Sequence, residues 1–425
     1  MPPNVVEAAE LAGMGMKMSV TPSIARVMRG NTCAGCGACA GLFPDKLAME
    51  VAPPGFLRPR QIATLTEAED DRIARICPGL GQQVRVDGRT DDVLWGPHVE
   101  MLTGWAGDPD LRFGGASGGA LSALAAHLLD SGIVEAVVQT GADPQHPTAN
   151  KTVVTTKAAD VAAAAGSRYA PSAPLEDLAA YLADHRATGR RFAVLGKPCD
   201  AAALRALVQE DAEAGAAFPV ILSFFCAGVP SHTGGRAVLA ALGTAEVEVA
   251  AFRYRGNGWP GQATALLHDG STRSMSYHDS WGGILSNHVQ HRCKICADGT
   301  GVAADIACAD AWATDAQGYP RFEDAPGVSL IVARTALGQR LIAAARAAGR
   351  IETAPFDIAQ LAAIQPGQRE RRRALLARLL ALRLAGRPVP HYKGLRLAAV
   401  ARQNPFLRNL RNFLGTLRRV VRPRR

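Results

Sequence analysis

Residues 191–208 read Arg-Phe-Ala-Val-Leu-Gly-Lys-Pro-Cys-Asp-Ala-Ala-Ala-Leu-Arg-Ala-Leu-Val. The first five, Arg191 to Leu195, form a short apolar run of the kind that fills a buried strand. Gly196-Lys-Pro-Cys-Asp200 interrupts it as a loop, and Ala201 to Val208 continues as an Ala/Leu stretch that favours helix. The same grammar recurs on both sides. Upstream, Ser117-Gly-Gly119 precedes a helical pattern over Ala120 to Leu129 that ends near Ser131-Gly132, and Ile133 to Thr140 is β-branched and strand-like. Downstream, Val220 to Phe225 is another buried-strand run, leading into Cys226-Ala-Gly-Val-Pro230. Strands alternating with helices predict an α/β fold with a largely parallel or mixed sheet and ligand-bearing loops at strand ends.

The 425-residue chain is long enough for two or three cores. Its composition divides it into an irregular Cys-rich segment (1–95), the alternating α/β part (96–365) and an Arg-rich part (366–425). From Pro366 onward, 16 Arg and one Lys face a single Glu, a local excess of +16 against a total of +9. The rest therefore carries −7, and no basic stripe runs through it to support nucleic-acid binding. Met1 to Met18 contains two Glu and no apolar run after a basic start, so no secretory signal is expected. The most apolar stretch, Ala120 to Thr140, contains His127, Asp130 and Glu135, which excludes a spanning helix there. A cytoplasmic location is expected, and nine cysteines in a reducing compartment point to metal or redox chemistry rather than disulfides.

Cys33-x-x-Cys36-x-x-Cys39 is the sharpest chemical signal. Three thiolates at this spacing wrap one face of an iron–sulfur cubane, and Gly35 and Gly37 permit the close backbone approach. The Cys-Pro expected soon afterwards is replaced by Phe43-Pro44, so the fourth ligand is read as Cys77, itself followed by Pro78. A zinc site is the alternative, but zinc prefers paired C-x-x-C hairpins. Cys293-Lys-Ile-Cys296 is a second C-x-x-C, near His288 and His291. Alone it fits zinc, thiol redox chemistry or a cluster. Cys199 and Cys226 follow buried strands, and four such thiols can converge on a second [4Fe–4S]. Cys308, in the β-like run Ala304 to Ala309, reads as packing.

Phe113-Gly-Gly-Ala-Ser-Gly-Gly119 opens a helix with successive N–H groups suited to phosphate. Arg253-Tyr-Arg-Gly-Asn-Gly-Trp-Pro-Gly261 combines aromatic and cationic groups that suit a flat ring or a phosphate.

Together these segments resemble the beta subunit of coenzyme F420-reducing hydrogenase and its relatives, which include F420-linked dehydrogenase subunits and ferredoxin-dependent chlorophyll-pathway reductases. The resemblance rests on Cys33-Ala-Gly-Cys-Gly-Ala-Cys39, Ala116-Ser-Gly-Gly119, Ser167-Arg-Tyr169, Leu195-Gly-Lys-Pro-Cys199, Cys226-Ala-Gly-Val-Pro230, Arg255-Gly-Asn-Gly-Trp259, Cys293-Lys-Ile-Cys296 and Ala304-Asp-Ile306 with Asp310, in that order. It implies an FAD-binding mixed α/β domain, a ferredoxin-like Fe–S segment before it, and one or two [4Fe–4S] clusters. It assigns Cys199, Cys226, Cys293 and Cys296 to the second cluster. Ser117, Gly118, Gly119, Asn257, Gly258 and Trp259 fall to the FAD site. Lys197 stands where the family pattern has Thr, placing a cation near flavin or cluster. The Arg-rich tail has no counterpart in the pattern.

The implied activity is electron passage between a ferredoxin-like one-electron carrier and a two-electron partner, either a deazaflavin or a small organic substrate. Alternatives are an electron-transfer subunit serving a partner redox subunit, and a zinc-stabilised scaffold. The tail, with Phe406, Leu407, Leu410, Phe413 and Leu414 among its arginines, reads as an amphipathic basic helix suited to peripheral membrane contact.

Overall fold

A computed structural model describes residues 20–312 and 323–421 of the chain. The reading of Met1 to Met18 lies outside the described residues. The Cys-rich segment is more regular than its sequence predicts. It holds helices α1 (Pro22–Gly30), α2 (Ala38–Leu42) and α3 (Glu67–Ile76), with an antiparallel hairpin of Leu47–Ala52 and Phe56–Gln61 between the last two. A reciprocal cap starts α3: Glu69 N–H donates to Thr66 Oγ1 at 3.3 Å, and Thr66 N–H donates to Glu69 Oε2 at 2.7 Å. The helix stops at Cys77, which is extended because Pro78 follows.

The centre is an eight-stranded mixed sheet. Its strands are β1 (Glu100–Ala106), β2 (Ala136–Ala142), β3 (Asn150–Thr155), β4 (Phe192–Gly196), β5 (Val220–Phe224), β6 (Ile306–Asp310), β7 (Ser329–Ala333) and β8 (Ile351–Pro355). They lie in the order β8-β1-β7-β6-β5-β4-β2-β3. The inner strands β2, β4, β5 and β6 run parallel, and the others pair antiparallel. The fold is therefore mixed α/β. Helices α4 (Ala120–Asp130) and α6 (Ala336–Ala347) bury Leu124, Leu128 and Leu341 on one face. Helix α5 (Pro198–Glu210) and the helix Leu178–Thr188 bury Leu204 and Leu178 on the other, against Phe192 and Val194.

Helix α5 begins three residues before the expected Ala201. Pro198 fits the first helical position because its missing N–H is not needed there, and the Asp200 carboxylate accepts from Lys197 N–H at 2.8 Å. Cys199 consequently sits in the first turn of a helix, not in a loop.

The Arg-rich part is woven into the body. Helix α7 (Pro366–Leu384) buries Leu375, Leu379 and Leu382 against Ile295 and Val302. Arg372, 4% exposed, donates to the carbonyls of Leu94, Ala297 and Leu395. His391–Lys393 then pairs in parallel with Gly81–Gln83. Helix α8 (Phe406–Val421) lies against α7.

Candidate redox site

The four thiols at the start of the chain come together. Cys33 and Cys36 lie in the loop before α2, Cys39 within it, and Cys77 at the end of α3. Each would feel the others' charge: Cys39 that of Cys36, Cys77 and Cys33, and Cys36 that of Cys77 and Cys33. Burial pushes all four thiols up, Cys77 to about 11. Main-chain N–H groups oppose this, from Gly35 to Cys33 Sγ at 3.4 Å and from Gly79 and Leu80 toward Cys77. Gly37 has φ +86°, and a Cβ there would stand 2.7 Å from Glu176 N, so only glycine fits the turn.

The later thiols form a second tetrad. Cys199 lies in the first turn of α5, Cys226 beyond β5, and Cys293 and Cys296 in and after the short helix His291–Lys294. Cys199 is coupled to Cys226 and Cys293, and Cys226 to Cys293 and Cys296. Burial pushes Cys226 up to about 12. Val229 N–H donates to Cys293 Sγ at 3.4 Å. His288 instead meets Thr233 Oγ1 at 3.3 Å. Among the described residues no three or more His, Cys, Asp or Glu close on a single-ion site; each set is four coupled thiols without that tight convergence. Cys308, in β6, is raised to about 12 by burial alone and has no thiolate neighbour, consistent with packing.

A cationic septum separates the tetrads. Arg58 donates to Gln290 Oε1 at 3.1 Å, while Gln290 Nε2 reaches the Ala34 carbonyl at 3.4 Å and Cys293 Sγ at 3.6 Å. Arg292, 2% exposed, donates to the carbonyl of Pro78 and to the Tyr392 hydroxyl, each at 2.9 Å. Its charge acts on Cys33 and Cys77 on one side and on Cys199, Cys293 and Cys296 on the other. Its Nε is buried without a hydrogen-bond partner. The buried Lys197–Asp200 pair, at 2.8 Å, completes the septum, with Lys197 Nζ also donating to Ser172 Oγ at 2.7 Å. Burial alone would lower the Lys197 pKa; the Asp200 carboxylate, through its charge and its hydrogen bond, is the main influence that raises it instead.

Beside the second tetrad opens a cavity of about 290 Å³. Ser117, Gly119, Lys197 and Cys226 line it, with Tyr169, Arg255, Tyr277 and Trp281. Ser117 Oγ donates to the Val328 carbonyl at 3.0 Å, and Gly118 N–H donates to Ser329 Oγ at 2.9 Å. These bonds hold the loop before α4 against β7. Gly118 is packed behind the cavity wall, where an added Cβ would stand 2.8 Å from the Gly104 carbonyl oxygen. Gly118→Ala is expected to cost about 1–3 kcal/mol by overpacking, lowering the melting temperature by several degrees; thermal unfolding followed by circular dichroism checks it.

Of the loop around Trp259, Arg255 lines the cavity. Asn257, Gly258 and Trp259 do not line the cavity. Gly258 N–H donates to the Phe113 carbonyl at 3.0 Å, and Trp259 packs against Trp312 with ring centroids 4.3 Å apart. The loop instead supplies Arg255, which is 2% exposed, held by both oxygens of Asp310 at 3.0 and 2.8 Å, and stacked near Trp259, Tyr277 and Trp312. Arg255 Nη2 is buried without a hydrogen-bond partner. Burial raises the pKa of Tyr169, which keeps its hydroxyl protonated. Arg255 and Tyr169 stood within motifs quoted from the sequence, but nothing in spacing told which member of each motif faces the cavity.

The fold is mixed α/β, and the family to which the chain belongs supplies the class, an oxidoreductase. The chain belongs to the coenzyme F420 hydrogenase/dehydrogenase beta subunit family: residues 101–179 match that beta subunit's N-term pattern and residues 189–358 its C terminus. Its fold is similar to that of a chain in the F420-reducing [NiFe] hydrogenase complex from Methanosarcina barkeri, solved with xenon derivatization. The TM-score is 0.51 and the identity 19%, over 66% of this chain and 91% of that one. No curated protein matches the chain.

Proposed function

We propose that the chain is an FAD- and [4Fe–4S]-dependent oxidoreductase that passes electrons between a ferredoxin-like one-electron carrier and a two-electron partner, a deazaflavin or small organic substrate. One observation carries the reading: the cavity, the second tetrad and the first tetrad are contiguous, with Cys226 in the cavity wall and Arg292 between the tetrads. Bound FAD would exchange electrons in pairs or singly, and [4Fe–4S] clusters would carry them one at a time.

The residues present fit those groups. Eight thiols in two sets of four, Cys33 and Cys36 buried and the other six half-buried, suit two cubanes, and the buried Arg292 Nε is a donor among them. Arg255 lies in the wall of an aromatic-lined cavity, and its charge there suits the electron-rich edge of a flavin ring or a phosphate. Arg255→Met is expected to lower FAD content by roughly tenfold or more, through loss of a charge-assisted hydrogen bond and of the positive charge. Flavin absorbance per chain after gel filtration, with iron content as the folding control, measures it.

The one-electron carrier has a suitable approach. A groove of about 1170 Å³ beside Ile76, next to Cys77, is lined by Arg26, Arg75, Arg85, Arg89, Arg205 and Lys393 against Asp87, Glu210 and Asp298, a net positive wall that would favour an acidic partner.

Anaerobic purification with iron, acid-labile sulfide, zinc and flavin counted per chain tests the reading. About eight iron and one FAD are expected. About four iron with FAD would keep the activity but release one tetrad, and zinc without flavin would leave a scaffold. A second reading, a relay subunit without a substrate of its own, is favoured by the solved neighbour being part of a hydrogenase complex. Turnover of an organic acceptor or F420 by the purified chain alone with reduced ferredoxin decides between them, since a relay would reduce neither.

A further inference from the structure

The outer surface of α8 is not absorbed by the redox site. Asn409 Nδ2 donates to the Ala401 carbonyl at 2.9 Å, and Thr416 is buried. These contacts fix which side of the helix faces the body. At about 100° per residue, Phe406, Leu407, Leu410, Leu414 and Val421 then share roughly a third of the circumference. All five are exposed, Phe406 and Leu407 by 77% and 75%. Leu380 and Leu384 of the adjoining α7 are exposed as well. Arg411 and Arg418 are exposed along one edge of this stripe, and no Asp or Glu follows Glu370 in the sequence.

We propose that this face docks on an anionic lipid bilayer, with α8 lying in the plane of the membrane. Contiguous exposed aliphatic and aromatic side chains mark an interaction surface. An arginine row along the edge lets the apolar stripe enter the acyl boundary while guanidinium groups stay at the headgroups. No helix among the described residues is long and apolar enough to cross a membrane, so contact is peripheral. Charge selects the occupant. A second copy would bring two arginine-flanked faces together, whereas anionic headgroups complement them and the acyl region accepts the stripe without a shaped pocket.

The test uses the full-length chain, because a cut at Pro366 would remove Arg372 and the core leucines of α7. Flotation with vesicles of phosphatidylcholine containing about a third phosphatidylglycerol is compared with phosphatidylcholine alone. Two variants accompany it: Phe406→Ser/Leu407→Ser/Leu414→Ser, and Arg411→Glu/Arg418→Glu. The native chain is expected to float with the anionic vesicles only and to be released by salt. Each variant is expected to bind roughly tenfold more weakly or worse, with unchanged circular dichroism and iron content. Failure of the native chain to bind anionic vesicles would overturn the proposal. So would a serine variant that binds like the native chain, or concentration-dependent self-association lost in that variant without any vesicle binding.

Discussion

A Cys77→Ala chain purified without oxygen will hold about half the iron and acid-labile sulfide of the native chain while keeping its flavin. Cys77 is the remote member of the first tetrad, brought to Cys33, Cys36 and Cys39 by the end of α3. The main-chain N–H groups of Gly79 and Leu80 lie near its sulfur and oppose the upward push of burial on the thiol, which favours a thiolate and so a metal-bound sulfur. Loss of one small side chain costs the fold little by itself, so missing iron reports lost ligation. Cys308→Ala is the control: that thiol is more enclosed than Cys77 but has no thiolate neighbour, and its loss is expected to leave the iron count unchanged. Full iron in the Cys77 variant would remove it from the ligand set.

The second large effect is expected at Arg292. In Arg292→Met the Pro78 carbonyl and the Tyr392 hydroxyl lose their donor, at roughly 1–3 kcal/mol for a buried group left bare. Midpoint potentials give the sharper readout. On the proposed reading each cluster would become more negative on reduction, so removing a buried positive charge would disfavour the reduced form and move both potentials downward. A tenfold change in a one-electron equilibrium is about 59 mV, and shifts of that order are expected in a spectroscopically monitored anaerobic titration. Arg292→Lys keeps the charge and should recover most of the shift. Movement of one potential alone would assign Arg292 to a single tetrad.

Much of this site was legible because its chemistry is written in residue type and spacing. The C-x-x-C-x-x-C run and Cys77-Pro78 marked the first tetrad, and apolar runs marked β2, β4, β5 and β6 to within a few residues. What remained hidden depended on orientation and long-range contact. Alternation does not tell which residue of Arg255-Gly-Asn-Gly-Trp259 faces inward, because a turn built on Gly256 and Gly258 has no strand or helix period. Arg58, Arg292 and Gln290 carry no motif; their role appears only when segments 214, 232 and 256 residues apart in sequence meet. The Arg-rich composition after Pro366 read as a tail without counterpart in the family pattern, yet Arg372 is among the most enclosed cations of the described residues, directing its donors to main-chain carbonyls.

Those enclosed cations have a consequence for how the protein is made. Arg58, Arg292 and Arg372 are buried and satisfied mainly by neutral oxygens, while burial keeps the nearby thiols in their uncharged form. On the proposed reading, a newly synthesised chain without inorganic sulfide and iron carries unbalanced positive charge at the junction of its first and last segments. Cluster insertion supplies the balancing negative charge, so maturation and folding become one event there. The cell's iron supply would then govern how much of the protein survives proteolysis, independently of how much is translated.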